Sequence, residues 1–237
     1  MRHVHIHVTG IVQGVGMRPF VYREAIAHGI CGWVLNAGDG VHIEAHACAE
    51  AVDGFVAALS EHAPAAARVE RVDIADLEPG GWSTADEQGF HIVASQDQTA
   101  HTTLVSPDIA TCDDCLRELF DPADRRYHYP FINCTNCGPR FTIIRSLPYD
   151  RAATSMDCFP MCPKCAAEYA DPLNRRFHAQ PDACFDCGPH ITWREAGEAA
   201  ASPAVGTTRE TSDAIIGRCV ELLANGGIVA IKGLGGF

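Results

Sequence analysis

The chain has 237 residues, of which 47% are hydrophobic and 20% are charged. This is the composition of an ordinary globular protein, with room for one large domain or two to three small ones. The 18 basic against 30 acidic residues give a net charge of −12, which argues against general binding to nucleic acid or anionic membranes. With neither a signal peptide nor an apolar run of about 18 residues in the sequence, we expect a cytoplasmic protein with no membrane partner.

The first predicted element is a strand over residues 3 to 9. Val4, Ile6 and Val8 alternate with three histidines, His3, His5 and His7, so one face of the strand is apolar and the other polar. The simplest interpretation makes the histidines the exposed face of the strand. A metal-binding role for them is the alternative.

A glycine-containing loop follows this strand and leads into a helix. Gly14 and Gly16 allow backbone N–H groups to turn inward, and the helix N-terminus adds positive potential. Arg18 can hold a phosphoryl group with two hydrogen bonds. The segment therefore predicts a cradle for an anion.

The next predicted elements complete an α+β domain. A hairpin spans Cys31 to Ala45, a helix carries Val52, Phe55, Val56 and Leu59, and further strands lie near 69–74 and 90–94. The order βαββαβ is that of a ferredoxin-like fold.

Two segments resemble the signature of the acylphosphatase family. They read Gly10-x-Val12-Gln13-Gly14-Val15-Gly16-Met17-Arg18 and Gly32-x-Val34-x-Asn36, within a resemblance that spans about residues 3 to 95. It implies hydrolysis of an acyl phosphate, with Arg18 and Asn36 as the catalytic residues, Asn36 orienting the attacking water. The implied phosphate-binding residues are Gln13, Gly14, Val15, Gly16, Met17 and Arg18. Met17 departs from the family, which usually has an aromatic residue there.

Eight cysteines form four CxxC pairs with a repeat of 50 residues. The pairs are Cys112/Cys115, Cys134/Cys137, Cys162/Cys165 and Cys184/Cys187. Two CxxC turns supply a closed tetrahedral shell for zinc, so we expect two structural zinc ions that stabilise two small modules. Disulfides and redox chemistry are weaker alternatives, since a redox motif needs only one pair. Duplication favours pairing within each repeat, and interleaved pairing stays open.

The C-terminal part predicts a linker and the start of another domain. Residues 196–211 are rich in Ala, Gly, Ser, Pro and Thr. Beyond them the pattern predicts a helix, a strand over Ile228–Ile231 and a glycine-rich end, Lys232-Gly233-Leu234-Gly235-Gly236-Phe237. The expected divisions are 1–95 for the acylphosphatase-like domain, 105–145 and 155–195 for two zinc fingers, 196–211 for a linker, and 212–237 for a truncated domain.

The whole arrangement resembles the N-terminal part of the HypF family of hydrogenase-maturation carbamoyltransferases. The most specific string is the stretch of residues 124–141, DRRYHYPFINCTNCGPRF. The resemblance implies a YrdC-like domain beginning at about residue 212. It also implies hydrolysis of carbamoyl phosphate to carbamate and phosphate, ATP-dependent activation only in the missing downstream domain, and transfer to the C-terminal cysteine of a partner protein on the way to nickel-iron hydrogenase.

Two other functions remain open at this stage. One is a zinc-dependent protein-binding or chaperone-like module whose N-terminal domain recognises phosphate without catalysis. The other is a free-standing acylphosphatase with a zinc tail, which the unfinished C-terminal pattern disfavours. The competing interpretations differ in whether an acyl phosphate is turned over.

Overall fold

The structure, a computed structural model, describes residues 1–78, 89–95, 104, 106–195 and 204–233. The expected linker residues 196–203, residue 105 at the start of the first finger, and the last four residues, 234–237, lie outside the described residues. Within that described part, no helix combines the length and the apolar character needed to cross a bilayer.

The N-terminal domain confirms the predicted α+β ferredoxin-like fold. Its elements are β1 (Arg2–Ile11), α1 (Met17–Ala27), β2 (Cys31–Ala37), β3 (Gly40–Ala47), α2 (Ala49–Glu61), β4 (Arg68–Asp76) and β5 (Phe90–Ile92). The strands form one sheet in the order β4-β1-β3-β2-β5, antiparallel except that β5 runs parallel to β2. A short fifth strand therefore extends the βαββαβ unit at the β2 edge.

The alternation along β1 sets the two faces of this sheet. Val4, Ile6 and Val8 are fully buried in the core, where they lie with Val52, Phe55 and other side chains of the two helices. The histidines of β1 alternate with them and are half-buried. Because side chains on a strand point to opposite faces in turn, the histidines occupy the face away from this core.

The cysteine-rich segment is built from two short helices and tight turns around a second core. The helices are α3 (Asp113–Leu119) and α4 (Pro163–Ala170), and 3-10 turns cover Thr135–Cys137, Phe141–Ile143, Arg151–Ala153 and Ser155–Cys158. The core combines Cys115, Cys134 and Cys137 with Tyr129, Ile132, Ile143 and Met156. It is small, so metal binding would add much of the stability such a segment needs.

The C-terminal part differs from the sequence prediction in two places. A capping box at Thr208 starts α5 (Arg209–Ala224) inside the expected linker, and β6 (Thr192–Trp193) pairs with β7 (Ala204–Val205). The predicted strand Ile228–Ile231 is wrong in this structure, where those residues are irregular and Ile228 is 97% exposed. A strand needs a neighbouring strand for its backbone hydrogen bonds, and none of the described strands pairs with this segment.

Candidate active site and metal clusters

The loop between β1 and α1 has the backbone geometry of an anion cradle. Gly14 and Gly16 both adopt left-handed conformations, with φ of 72° and 80°, and Gly16 is the residue that precedes α1. Arg18 lies in the first turn of α1 with only 7% of its surface exposed. The positive end of the helix and a buried guanidinium thus meet at one point.

The side chains of Val15 and Met17 anchor this loop to the core of the N-terminal domain. Each is 1% exposed and belongs to the core of the N-terminal domain. Their contribution to an anion site is therefore limited to their backbone, and the side chain of Met17 serves packing. The departure from the family's usual aromatic residue thus falls on a core position.

Arg18 and Asn36 lie side by side, although they come from different elements. With its amide oxygen facing Arg18, Asn36 accepts hydrogen bonds from Nε at 3.1 Å and from Nη2 at 3.3 Å. Asn36 is near the end of β2 and is buried. The expected catalytic pair is therefore brought together by the fold.

Gln13 braces the turn that follows Asn36. Its Nε2 donates to the carbonyl oxygens of Ala37 at 2.6 Å and Gly40 at 3.2 Å, and its Oε1 accepts from the backbone N–H of Tyr149 at 3.1 Å. The side chain of Gln13, which the sequence places in the phosphate site, thus bonds to the backbone on two sides.

The cysteine-rich segment closes over the cradle. The pocket formed by Gly14, Gly16, Arg18 and Asn36 is also lined by residues of this segment, namely Cys134, Thr135, Gly138, Tyr149, Phe177, His178, Ala179, Gln180 and Pro181. Asp150 accepts a hydrogen bond from Nη2 of Arg18 at 2.7 Å. Burial, followed by the charge of Arg18, lowers the pKa of His178 to about 4, so this imidazole is neutral near pH 7. Arg18 therefore supplies the positive charge of the pocket wall.

The eight CxxC cysteines form two clusters, one within each repeat. Cys112, Cys115, Cys134 and Cys137 make the first, and Cys162, Cys165, Cys184 and Cys187 make the second. Neighbouring sulfur atoms within the clusters lie 3.5 to 3.9 Å apart. A tetrahedral zinc ion with Zn–S bonds of about 2.3 Å requires sulfurs about 3.8 Å apart. The donor set and its spacing thus fit zinc, and the grouping is not interleaved.

Comparison with known proteins gives the same two parts. The acylphosphatase family model matches residues 4–92, and the HypF finger model matches residues 111–144 and 161–194. Carbamoyltransferase HypF2 of Cupriavidus necator is 52% identical over 235 residues, which is 99% of this chain and 28% of the relative. A crystal structure of full-length HypF in the phosphate- and nucleotide-bound form covers 100% of this chain and 29% of that chain, with a TM-score of 0.84 and 43% identity.

The chain belongs to the HypF family. It spans under a third of the length of the HypF relatives it matches. Its N-terminal part is also 38% identical, over 94 residues, to an acylphosphatase of Salinibacter ruber, covering 92% of that protein and 38% of this chain.

Each cysteine repeat contributes an arginine that donates hydrogen bonds to the cysteine cluster of the other repeat. Arg175 of the second repeat donates to Sγ of Cys115 in the first at 3.0 Å, and Arg125 of the first donates to Sγ of Cys165 in the second at 3.4 and 3.3 Å. The positive charge that faces each cysteine cluster therefore comes from the other repeat.

Two further arginines bond to the backbone of the opposite repeat. Arg126 donates to the carbonyl oxygen of Ala183 at 2.9 Å, and Arg176, its counterpart 50 residues later, donates to that of Asn133 at 3.2 Å. Burial would raise the pKa of Glu118, but Arg176 and Arg175 lower it to about 2. The two modules therefore form one interlocked unit.

Sequence reasoning missed the residues that cover the cradle, above all Asp150 and Tyr149. They lie 132 and 136 positions from Arg18 and Gln13, the residues they contact. The only sequence signal near them was the HypF-specific stretch before Phe141, which indicated a family but no contact with the phosphate loop.

Proposed function

We propose that the N-terminal domain of this HypF chain hydrolyses carbamoyl phosphate to carbamate and phosphate. The observation that supports this most directly is the contact between Arg18 and Asn36 beside the left-handed glycines of the cradle. Phosphoryl transfer to water needs positioning and stabilisation of charge more than a nucleophilic side chain. This site offers both.

The residues divide the work as follows. Arg18 and the backbone N–H groups of residues 13–18 hold the phosphoryl oxygens and stabilise the charge that spreads over them in the transition state. Asn36 orients a water molecule in line with the bond from phosphorus to the leaving oxygen. The water oxygen bonds to phosphorus, the P–O bond to the carbamoyl group breaks, and carbamate leaves with the electron pair while the water proton passes to the product phosphate or to solvent.

Zinc would be held by the two cysteine clusters, and it would supply folding energy because each four-sulfur shell has no open position for substrate. We place ATP-dependent activation of the carbamate, and its transfer to the C-terminal cysteine of a hydrogenase-maturation partner, in further parts of HypF proteins. A full-length HypF relative has been solved with phosphate and nucleotide bound, which supports a nucleotide site in HypF proteins. The domain divisions 1–95, 105–145, 155–195 and 212–237 belong to the same proposal, with α5 beginning at Arg209, ahead of the last division.

The reaction fits a reducing compartment. Eight of the twelve cysteines lie in the two four-sulfur clusters that fit zinc. Thiolate clusters that hold zinc also depend on cysteines that stay reduced. We therefore propose that the hydrolysis takes place in the cytoplasm.

The test is release of phosphate from carbamoyl phosphate by the zinc-loaded chain. Arg18→Ala and Asn36→Ala should each lower kcat by at least about 100-fold, because each removes an interaction with the phosphoryl group or the water. Arg23→Ala, an exposed arginine on the same helix, is the matched control and should leave the rate unchanged. Phosphate binding without turnover in the unmodified chain would instead favour a protein-binding module with a non-catalytic phosphate site.

A further inference from the structure

A separate cluster of ligating side chains lies on the face of the sheet that points away from the core. His7 of β1 and His42 of β3 are opposite each other in the strand register, and Asp39 lies in the turn between β2 and β3. Nε2 of His42 is 2.8 Å from Oδ1 of Asp39, and Nε2 of His7 is 3.6 Å from Oδ2. All three side chains are half-buried. They belong neither to the phosphate cradle nor to the cysteine clusters.

We propose that His7, Asp39 and His42 bind one divalent transition-metal ion. Imidazole nitrogen and carboxylate oxygen are ligands for zinc, cobalt and nickel ions, with bonds of about 2.0–2.2 Å to zinc. Three candidate ligand atoms, one from each residue, lie within 4.8 Å of one another, so small side-chain movements bring them to one ion. The rings of His7 and His42 are stacked, with centroids 4.3 Å apart, and Nε2 of His7 also lies 3.2 Å from the carbonyl oxygen of Asp39, so both imidazoles face the same residue.

The neighbouring His5 provides the support that a histidine ligand needs. Nε2 of His5 is 3.1 Å from Nδ1 of His42, on the side of the ring opposite to Asp39. When Nε2 of His42 binds the metal, its Nδ1–H donates to His5, which fixes the orientation of the ring.

The turn that carries Asp39 is already rigid, which favours binding. Gln13 fixes it from the inner side through the carbonyl oxygens of Ala37 and Gly40. An Ala side chain at Gly40 would approach Nε2 of His7 to 2.9 Å, so glycine leaves room for the imidazole. A ligand set with little freedom loses less entropy when the ion binds.

Cobalt titration of the untagged chain, with its cysteine clusters loaded with zinc, tests this proposal. Zinc in the cysteine clusters resists displacement because cobalt binds more weakly to the same ligands. We expect one additional Co²⁺ per chain by calorimetry, with visible absorption that lacks thiolate charge-transfer bands. Asp39→Asn and His42→Gln should weaken binding at least tenfold, and His3→Gln, on the same face but outside the trio, should not.

Two results would overturn the metal site. One is an absence of additional cobalt binding to the folded, zinc-loaded chain at millimolar cobalt. The other is binding that Asp39→Asn, His42→Gln and His3→Gln leave equally strong, which would locate the ion elsewhere. Circular dichroism of each variant shows that the sheet is intact.

An independent observation concerns Asp150, whose carboxylate occupies the space beside the phosphate-binding arginine. Its Oδ1 is 2.7 Å from Nη2 of Arg18 and 3.5 Å from Nε2 of Gln180. A carboxylate in this place repels a phosphoryl group, so it lowers affinity for any acyl phosphate unless it gains a hydrogen-bond donor from the substrate. A carbamoyl group has such a donor in its amino group, whereas an acetyl group has a methyl group.

Resting on the proposed hydrolysis, we infer that Asp150 determines specificity for the carbamoyl group. When phosphoryl oxygens take its place on Arg18, the carboxylate accepts a hydrogen bond from the carbamoyl amino group. With acetyl phosphate the same half-buried carboxylate faces a methyl group and gains no hydrogen bond from the substrate. Sites built to pair with a polar substrate group discriminate strongly against analogues that lack it.

The experiment compares kcat/KM for carbamoyl phosphate and acetyl phosphate. Asp150→Ala should lower the carbamoyl-to-acetyl ratio at least tenfold, with acetyl phosphate hydrolysis kept or raised. Asp150→Asn should retain part of the preference through its amide oxygen, and Asp157→Ala, an exposed carboxylate in the same segment, should retain all of it. Equal changes for both substrates would overturn the inference. Absence of turnover of either substrate by the unmodified chain would overturn the proposed hydrolysis itself.

Discussion

At the scale of single residues, Gly14 shows how the phosphate loop meets the cysteine-rich segment. It is left-handed, with φ of 72°, and a Cβ added there would lie 2.8 Å from Pro139 and from Tyr149. Gly29 has a similar backbone, with φ of 65°, but nothing lies within 4 Å of an added Cβ. A side chain at either glycine would strain the backbone, but only a side chain at Gly14 would also press against the cysteine-rich segment.

We predict that Gly14→Ala destabilises the protein more than Gly29→Ala does. Both changes add left-handed strain of about 1–2 kcal/mol, and only Gly14→Ala adds overpacking of about 1–3 kcal/mol. Thermal melting of the zinc-loaded variants measures the difference. Equal melting temperatures for the two variants would mean that the segment does not press on the cradle.

Residues also mark where sequence reasoning succeeded and where it stopped. The proximity of Arg18 and Asn36 was implied by a motif confined to neighbouring elements of one small domain. The contact of Arg18 with Asp150 spans 132 positions and depends on how two domains pack. No periodicity or spacing encodes such packing, because it depends on surface complementarity between units that fold around separate cores.

At the scale of elements, the two cysteine modules stabilise each other through exchanged arginines. The helices α3 and α4 each begin at a CxxC pair, with Cys112 and Cys162 just before the first turn. The positive helix end favours thiolate, and an arginine from the other repeat adds a charged donor. A 50-residue repeat suggested two equal modules, and the exchange explains why they lie together.

We predict that each arginine protects the zinc cluster of the opposite repeat. Arg175→Gln should speed chelator removal of zinc from the cluster of Cys115 several-fold, and Arg125→Gln should do so for the cluster of Cys165, because each loses a donor to a metal-bound sulfur. Alkylation of the cysteines, followed by mass spectrometry, identifies the cluster that opens.

The control for this exchange is the exposed Lys164, which lies next to Cys165 in sequence. Lys164→Gln should leave zinc release from both clusters unchanged, since it removes a positive charge without removing a guanidinium donor. If each arginine variant opened the cluster of its own repeat, the interlocked arrangement would be wrong.

At the scale of the whole molecule, the cysteine-rich segment contacts the candidate active site directly. The N–H of Tyr149 bonds to Gln13, the carboxylate of Asp150 bonds to Arg18, and Thr135, between two cysteines of the first cluster, lines the same pocket. Of the described cysteines Cys134 lines that pocket, and a zinc ion held by four sulfurs has no open position for substrate, so an effect of zinc on hydrolysis has to act through the shape of the segment.

We therefore predict that removal of zinc changes hydrolysis of carbamoyl phosphate, although zinc takes no part in the chemistry. A strong chelator should lower kcat/KM at least several-fold, because the segment unfolds, Tyr149 leaves the pocket and Asp150 loses its contact with Arg18. Added zinc should restore the activity. The matched control is a chain that ends at residue 95, whose phosphate release should not respond to chelator. Equal sensitivity of both chains would place the metal effect outside the cysteine clusters, whereas insensitivity of both would show that the cover over the cradle contributes nothing to turnover.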